Sequence, residues 1–319
     1  GLGDVYKRQG EMIANIAVDS KYWLWINGKM VVFEGGLKRG PAPGATYYDQ
    51  VDIAPYLEKG ENTIALLVWH FGKNGFSHVN SGTAALLFCA QEANLSIVSD
   101  KSWQCSVYRA YQNTEAPFPN YRLSESNIRF DARKELAGWN MPDFSGKLGA
   151  SIEIVAPNEM PFGKLVARPI PMWKNGGLTD YPEVVKNEKG DTIRCRLPYN
   201  CQITPYLHVK APAGLVVGML TDNYTGGSAN NVRAEYITRE GEQEYESFGW
   251  MNGHEVLYVV PAGVEVLGVK YRETGYNADM KGSFACDDDF YNELWKRSAR
   301  TLYITMRDNY MDLSLIHIS

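Results

Sequence analysis

Two carboxylates, Asp308 and Asp312, stand one helical turn apart near the end of an amphipathic stretch, "LYITMRDNYMD". Ionised carboxylates are acceptor-only groups, suited to holding hydrogen-bond donors or to stabilising positive charge. Bare sequence favours a plainer role for them, as surface aspartates at a helix C-terminus. Their neighbours Arg307 and Asn309 read as solvated or capping residues. The acidic run Asp287 to Asp289 opens the same stretch, where an N-cap and a first turn favour negative charge. Read as a calcium site, that run lacks the ligand spacing of a calcium loop.

Other chemistry-bearing residues give weaker signals. His70 and His78 flank the glycine-containing loop "HFGKNGFSHVNSG", but a metal pair there has no third ligand. Trp23, Trp25 and Trp69 offer rings that could stack on a sugar, although an alternating segment sends at least one of each pair into a core. "TDNYTGGSANN", Thr221 to Asn231, is a polar loop without the lysine and following helix of a phosphate cradle. Nucleophilic Ser-His-Asp catalysis has no elbow motif to support it. The five cysteines show no CxxC spacing and are expected as buried free thiols. Neither a metal nor any other cofactor is expected.

The elements that must hold these residues are mostly strands. At 319 residues, with 20 Tyr, 8 Trp and 30 Gly, the chain exceeds one ordinary core and leans toward sheets. "KYWLWINGKMVV" alternates and then turns at Asn27-Gly28, the strongest short hairpin signal. Thr63 to Trp69 is a short, turn-bounded apolar run of the kind that fills a sandwich. From 11 to 155 the pattern predicts one β-sandwich with no helix of three turns. Ala156 to Lys174 carries four prolines and reads as an extended connector. A second strand-rich unit extends to about 279. The period then changes: Phe290, Leu294, Leu302 and Met306, widened by Trp295, Ala299 and Tyr303, predict one helix from about Asp288 to Arg307. The expected architecture is therefore mainly β, with two antiparallel, jelly-roll-like β-sandwiches in series, followed over 280–312 by the start of an α-helical domain whose first helix has no helical neighbour here. A net charge of −5 without basic clusters argues against nucleic acid as a partner. No apolar run reaches the roughly 20 residues of a membrane-spanning helix.

Three stretches together resemble bacterial α-L-rhamnosidases, glycoside hydrolases with several β-domains ahead of a six-hairpin (α/α) barrel. "YWLWINGKMVV" with "YYDQVDIAPYLEKGENTIALLVW" is similar to the family's carbohydrate-binding-like first sandwich. "AEYITREGEQEYESFGW" with "VEVLGVKYRETGY" is similar to the second, and "GSFACDDDFYNELWKRSARTLYITMRDNYMD" resembles the entry helix of the barrel. Met311 and Asp312 match the family's Met-Asp, while Leu313 and Ser314 stand where Cys and Pro are expected. The opening "DVYKRQ" and closing "LSLIHIS" look like translated library-adaptor sequence, so 1–10 and 313–319 are read as artefacts and His317 is not counted as a base.

The resemblance implies an inverting hydrolase that takes a rhamnose-containing glycan or glycoside. Asp312 would serve as an accessory catalytic and substrate-binding carboxylate, with Asp308 as a weaker substrate ligand. The general acid would lie beyond the truncated end of the chain. Two other readings stay open: a non-catalytic carbohydrate-binding protein, and a six-hairpin glycosidase with a different sugar preference.

Overall fold

The computed structural model describes residues 11–37, 40–72, 74, 78–92, 95–116, 128–146, 148–149, 153, 155, 161–222 and 232–308. The chain forms two compact units, one from 1–108 and 136–172, the other from 109–135 and 173–319.

In the first unit the alternating segments become β1 (Ile13–Asp19), β2 (Lys21–Ile26), β3 (Lys29–Gly35), β4 (Ala45–Asp52), β5 (Ile64–Trp69), β6 (Ala85–Glu92) and β7 (Leu95–Val98). The chain then enters the second unit for β8 (Tyr111–Asn113) and β9 (Ile128–Asp131), and returns to the first for β10 (Lys164–Ala167). In the second unit follow β11 (Leu178–Asp180), β12 (Glu183–Lys186), β13 (Thr192–Ala211), β14 (Val216–Thr221), β15 (Ala234–Ile237), β16 (Gly241–Glu246), β17 (Met251–Val259), β18 (Glu265–Thr274) and the helix α1 (Asp289–Ile304).

Among the described residues the first unit pairs β10-β4-β1-β6-β7 in one sheet and β3-β2-β5 in another. Period-two alternation sends Ala14, Ile16 and Val18 of β1, Tyr22, Leu24 and Ile26 of β2, and Phe88 and Ala90 of β6 into one buried core. The Asn27-Gly28 hairpin forms as expected, with φ of 52° and 76°, the left-handed pair a tight two-residue turn requires.

The outward side of β2 is covered as well. Trp23 is 1% exposed and stacks on Trp69 at 6.3 Å, while Trp25 meets the edge of Trp139 at 5.2 Å. Lys21 precedes them in the same alternation, and its Nζ lies 2.6 Å from Glu34 Oε1 with both side chains buried. Removing one member of such a buried pair costs about 3–5 kcal/mol, because a charge is left in low dielectric.

Two expectations about organisation need correction. The segment 109–135, placed with the first sandwich from sequence, belongs to the second unit: β8 pairs with β9, and β9 runs parallel to β15. The proline-rich stretch is only partly a connector, since β10 joins the edge of the first sheet parallel to β4. Pro161, Pro169 and Pro171 flank the strand, where no ladder donor is lost, and Arg168 beyond it is held by Asp49 at 3.1 Å. Helix α1 lies within the second compact unit.

The second unit is organised by the twenty-residue β13. Its first half pairs with β12 and β17, its second half with β18 and β16, and the register shifts between Arg196 and Cys201. Pro198 falls inside that irregularity, where the missing N–H interrupts no ladder bond. Burial raises the thiols of Cys195 and Cys201 to about 12, which leaves both unreactive. Cys105 and Cys286, expected in a core, are exposed.

Helix α1 begins where the acidic run predicts. Asp288 is the N-cap and its side chain accepts from the Phe290 N–H at 2.9 Å. Trp295, Ala299 and Tyr303 are half-buried, whereas Phe290, Leu294 and Leu302 are 66%, 47% and 46% exposed.

Candidate functional site

The carboxylates singled out from sequence lie where α1 ends. The helix stops at Ile304, earlier than the apolar period suggests, and Thr305 closes it with its hydroxyl donating back to Thr301 O at 3.1 Å. Asp308 is therefore not on the helix face expected for it. It follows a turn, half-buried, directly after a residue that fixes the chain. Asp312 and Asn309 lie outside the described residues, as do His317 and most of the loop Thr221 to Asn231.

That fixing residue is Arg307, and here the reading of it as solvated is overturned. Arg307 is 2% exposed. Its guanidinium carbon sits 4.5 Å from the Trp173 ring and 4.8 Å from the Trp250 ring, a cation held between two π faces. Nη1 donates to Gln202 Oε1 at 2.8 Å, and Gln202 Nε2 in turn donates to Ile304 O at 2.8 Å. Gln202 belongs to the rigid β13 and is wholly buried, so the helix end and the residue before Asp308 are tied to one sheet through a single amide. A guanidinium suits this place because its planar, weakly hydrated cation stacks on aromatics and still presents directed donors.

This cluster has no local signature. Arg307, Gln202, Trp173 and Trp250 are far apart in the chain, and the nearest sequence signal is the presence of lone tryptophans in the turn-like segments "PMWK" and "FGWMN". Chemically it is a cation enclosed by two indoles and one amide. Asp308, half-buried, follows directly on the residue that this frame holds.

The remaining candidates are spread through the first unit. His78 is buried against Phe71, ring centroids 4.7 Å apart, in a packing role. His70 faces the Asp19 carboxylate, Nδ1 to Oδ1 3.5 Å. That carboxylate is opposed by burial but accepts from the Ser20 hydroxyl and the Ser81 N–H, which together hold its pKa below the usual range. Among the described residues no three His, Cys, Asp or Glu side chains converge on a metal position. Trp23 and Trp25, considered as sugar platforms, are covered by other aromatic rings.

No protein-family model and no curated protein matches the sequence. Solved structures do match. The chain is similar over 95% of its length to a GH78 family rhamnosidase of Bacillus sp. GL1, with a TM-score of 0.74 and 14% identity, and spans 56% of that chain. It is also similar to an α-L-rhamnosidase of Aspergillus terreus, with a TM-score of 0.68, 21% identity, and coverage of 97% of this chain and 38% of that one. A Streptomyces avermitilis α-L-rhamnosidase complexed with L-rhamnose matches at a TM-score of 0.69 and 20% identity, over 98% of this chain and 31% of that one. The chain thus shares the fold of these enzymes and spans between about a third and just over half of their length. The mainly β architecture read from the sequence, with several sheets and one helix among the described residues, is the architecture of the matched region.

Proposed function

We propose that this chain is the front part of an α-L-rhamnosidase that releases terminal α-L-rhamnose from plant glycosides or polysaccharides with inversion of configuration. The observation that carries the reading is the fold likeness, extending over nearly the whole chain to three rhamnosidases of which it spans only part. Inverting glycoside hydrolysis uses one carboxylic acid to protonate the leaving oxygen and a second carboxylate, about 6.5–9.5 Å away, to activate water. In this reading both reside in helices that follow α1, whose exposed Phe290, Leu294 and Leu302 give those helices an apolar face to pack on. Asp312 accepts from rhamnose hydroxyls or stabilises the positively charged transition state, and Asp308 assists from the rim of the Arg307 frame.

The test extends the open reading frame past Ser319 in clean genomic sequence and expresses the continued chain. Expected are an acidic Arg-Glu-Arg run after Asp312 and hydrolysis of an aryl α-L-rhamnoside by the continued chain, with none by residues 1–319 alone. An authentic stop codon after Ser319, or a continued chain that binds sugars without hydrolysing them, defeats the reading.

A further inference from the structure

In the first unit, residues 136–146 form no strand or helix, yet they lie against the hairpin that joins β2 to β3. Short backbone bonds coil this strap on itself: the Trp139 N–H donates to Leu136 O at 3.2 Å, that of Met141 to Gly138 O at 2.9 Å, and that of Phe144 to Met141 O at 3.2 Å. Among the described residues its backbone makes no hydrogen bond to the backbone of the hairpin. Side-chain contacts hold it there instead. The Leu136 N–H donates to the Tyr108 hydroxyl at 3.3 Å, and the Trp139 ring packs edge-on against Trp25 and Tyr108. The third contact runs through sulfur. A Cβ on Gly28 would lie 2.5 Å from Met141 Sδ and 3.1 Å from its Cε, so the thioether fills the space that the glycine of the turn leaves.

That thioether is the chemically vulnerable member of the set. Met12, Met219 and Met251 belong to the core, whereas Met141 is 42% exposed; among the described residues Met280, at 49%, is the other exposed methionine. A hydroperoxide oxidises an accessible thioether without help from the protein. The sulfur gives up an electron pair, the O–O bond breaks, one oxygen forms the S–O bond, and the other leaves as water. The sulfoxide is polar and larger at sulfur, and the fit against Gly28 leaves no room for even one added carbon. Its apolar contact with the turn is therefore lost. Trp139 then has to hold this part of the strap, and its indole is what covers Trp25, 7% exposed while the strap is seated.

We infer that Met141 is a peroxide-sensitive latch: its oxidation to the sulfoxide releases the strap 136–146 from the β2–β3 hairpin and uncovers Trp25. The latch stands on contacts within the first unit and requires nothing of the rhamnosidase reading.

The experiment treats residues 1–319 with hydrogen peroxide and locates the added oxygen by peptide mass spectrometry. Met141 and Met280 are expected to be modified ahead of Met12, Met219 and Met251. In the oxidised protein, hydrogen exchange of the 138–146 amides should rise about fivefold to tenfold, the change that follows from losing roughly half of a methionine's burial. Acrylamide should also quench the tryptophan emission more strongly. Methionine sulfoxide reductases with dithiothreitol should reverse both changes. Met141→Leu, which keeps the volume without the sulfur, should stay seated and ignore peroxide. Met280→Leu should respond as the parent chain does, and Met141→Gln should exchange fast with no peroxide added. If circular dichroism shows Met141→Leu unfolded, the reductase reversal and the Met280 variant decide. Met141 left unmodified while Met280 is oxidised, exchange and quenching unchanged in protein oxidised at Met141, or a full response in folded Met141→Leu would overturn the latch.

Discussion

Strand β2 and helix α1 are both strongly patterned, yet they end in opposite states. All six residues of β2 are buried: one side faces the sandwich core, and the other is sealed by Trp69, Phe33 and Trp139. Of the sixteen residues of α1 only Ile304 is buried, and large apolar side chains on its outer face are in solvent. The contrast separates two things that a hydrophobic pattern can mean. In β2 the polar-looking half of the alternation is not a water face but a second core, made of rings and one internal ion pair. In α1 the stripe is wider than the sheet beneath it can cover, so the helix is held by its cap and by anchors at its end more than by burial along its length.

That contrast can be broken from either side. The largest effect belongs to β2. Trp23→Ala removes a ring packed on two others, and is expected to lower the stability of the first unit by about 3–5 kcal/mol, read as a shift in the urea midpoint by near-ultraviolet circular dichroism. An intermediate effect belongs to the start of α1: Asp288→Ala removes the acceptor for the Phe290 N–H and should cost the helix about 1 kcal/mol. Faster hydrogen exchange of the first-turn amides, with the first unit unchanged, is the measurement. The smallest effect belongs to the outer face of α1. Leu294→Ser in this chain should change stability by no more than about 0.5 kcal/mol, since almost half of that side chain is already in water. A loss comparable with that of Trp23→Ala would show that the face is covered in solution.

Much of this was legible in the residues. Asn27-Gly28 specified its turn because few other dipeptides adopt two left-handed conformations, and Asp288 specified a helix start because its side chain replaces a missing acceptor. Alternation put Tyr22, Leu24 and Ile26 on one face, and that face lines the core. What stayed hidden was set by distant partners. Trp139 covers Trp25 from more than a hundred residues away. Arg307 looked like a solvent cation because nothing near it in sequence announces Trp173, Trp250 or Gln202. The same blindness misplaced Asp308: an apolar period continuing to Met306 extends a helix on paper, while burial of Arg307 turns the chain away after Ile304. Residues 109–135 were assigned by proximity along the chain, and parallel pairing of β9 with β15 is invisible to any local window.

The passage of the chain out of the first unit after residue 108 and back at 136 has a bearing on how the protein is made. A ribosome that has finished β7 has not yet supplied Trp139 or the edge strand β10, so the nascent sandwich waits through about 2–13 seconds of translation with one indole surface bare. Slowing elongation between codons 109 and 164 would lengthen the time for which that aromatic surface is uncovered, and with it the exposure to aggregation.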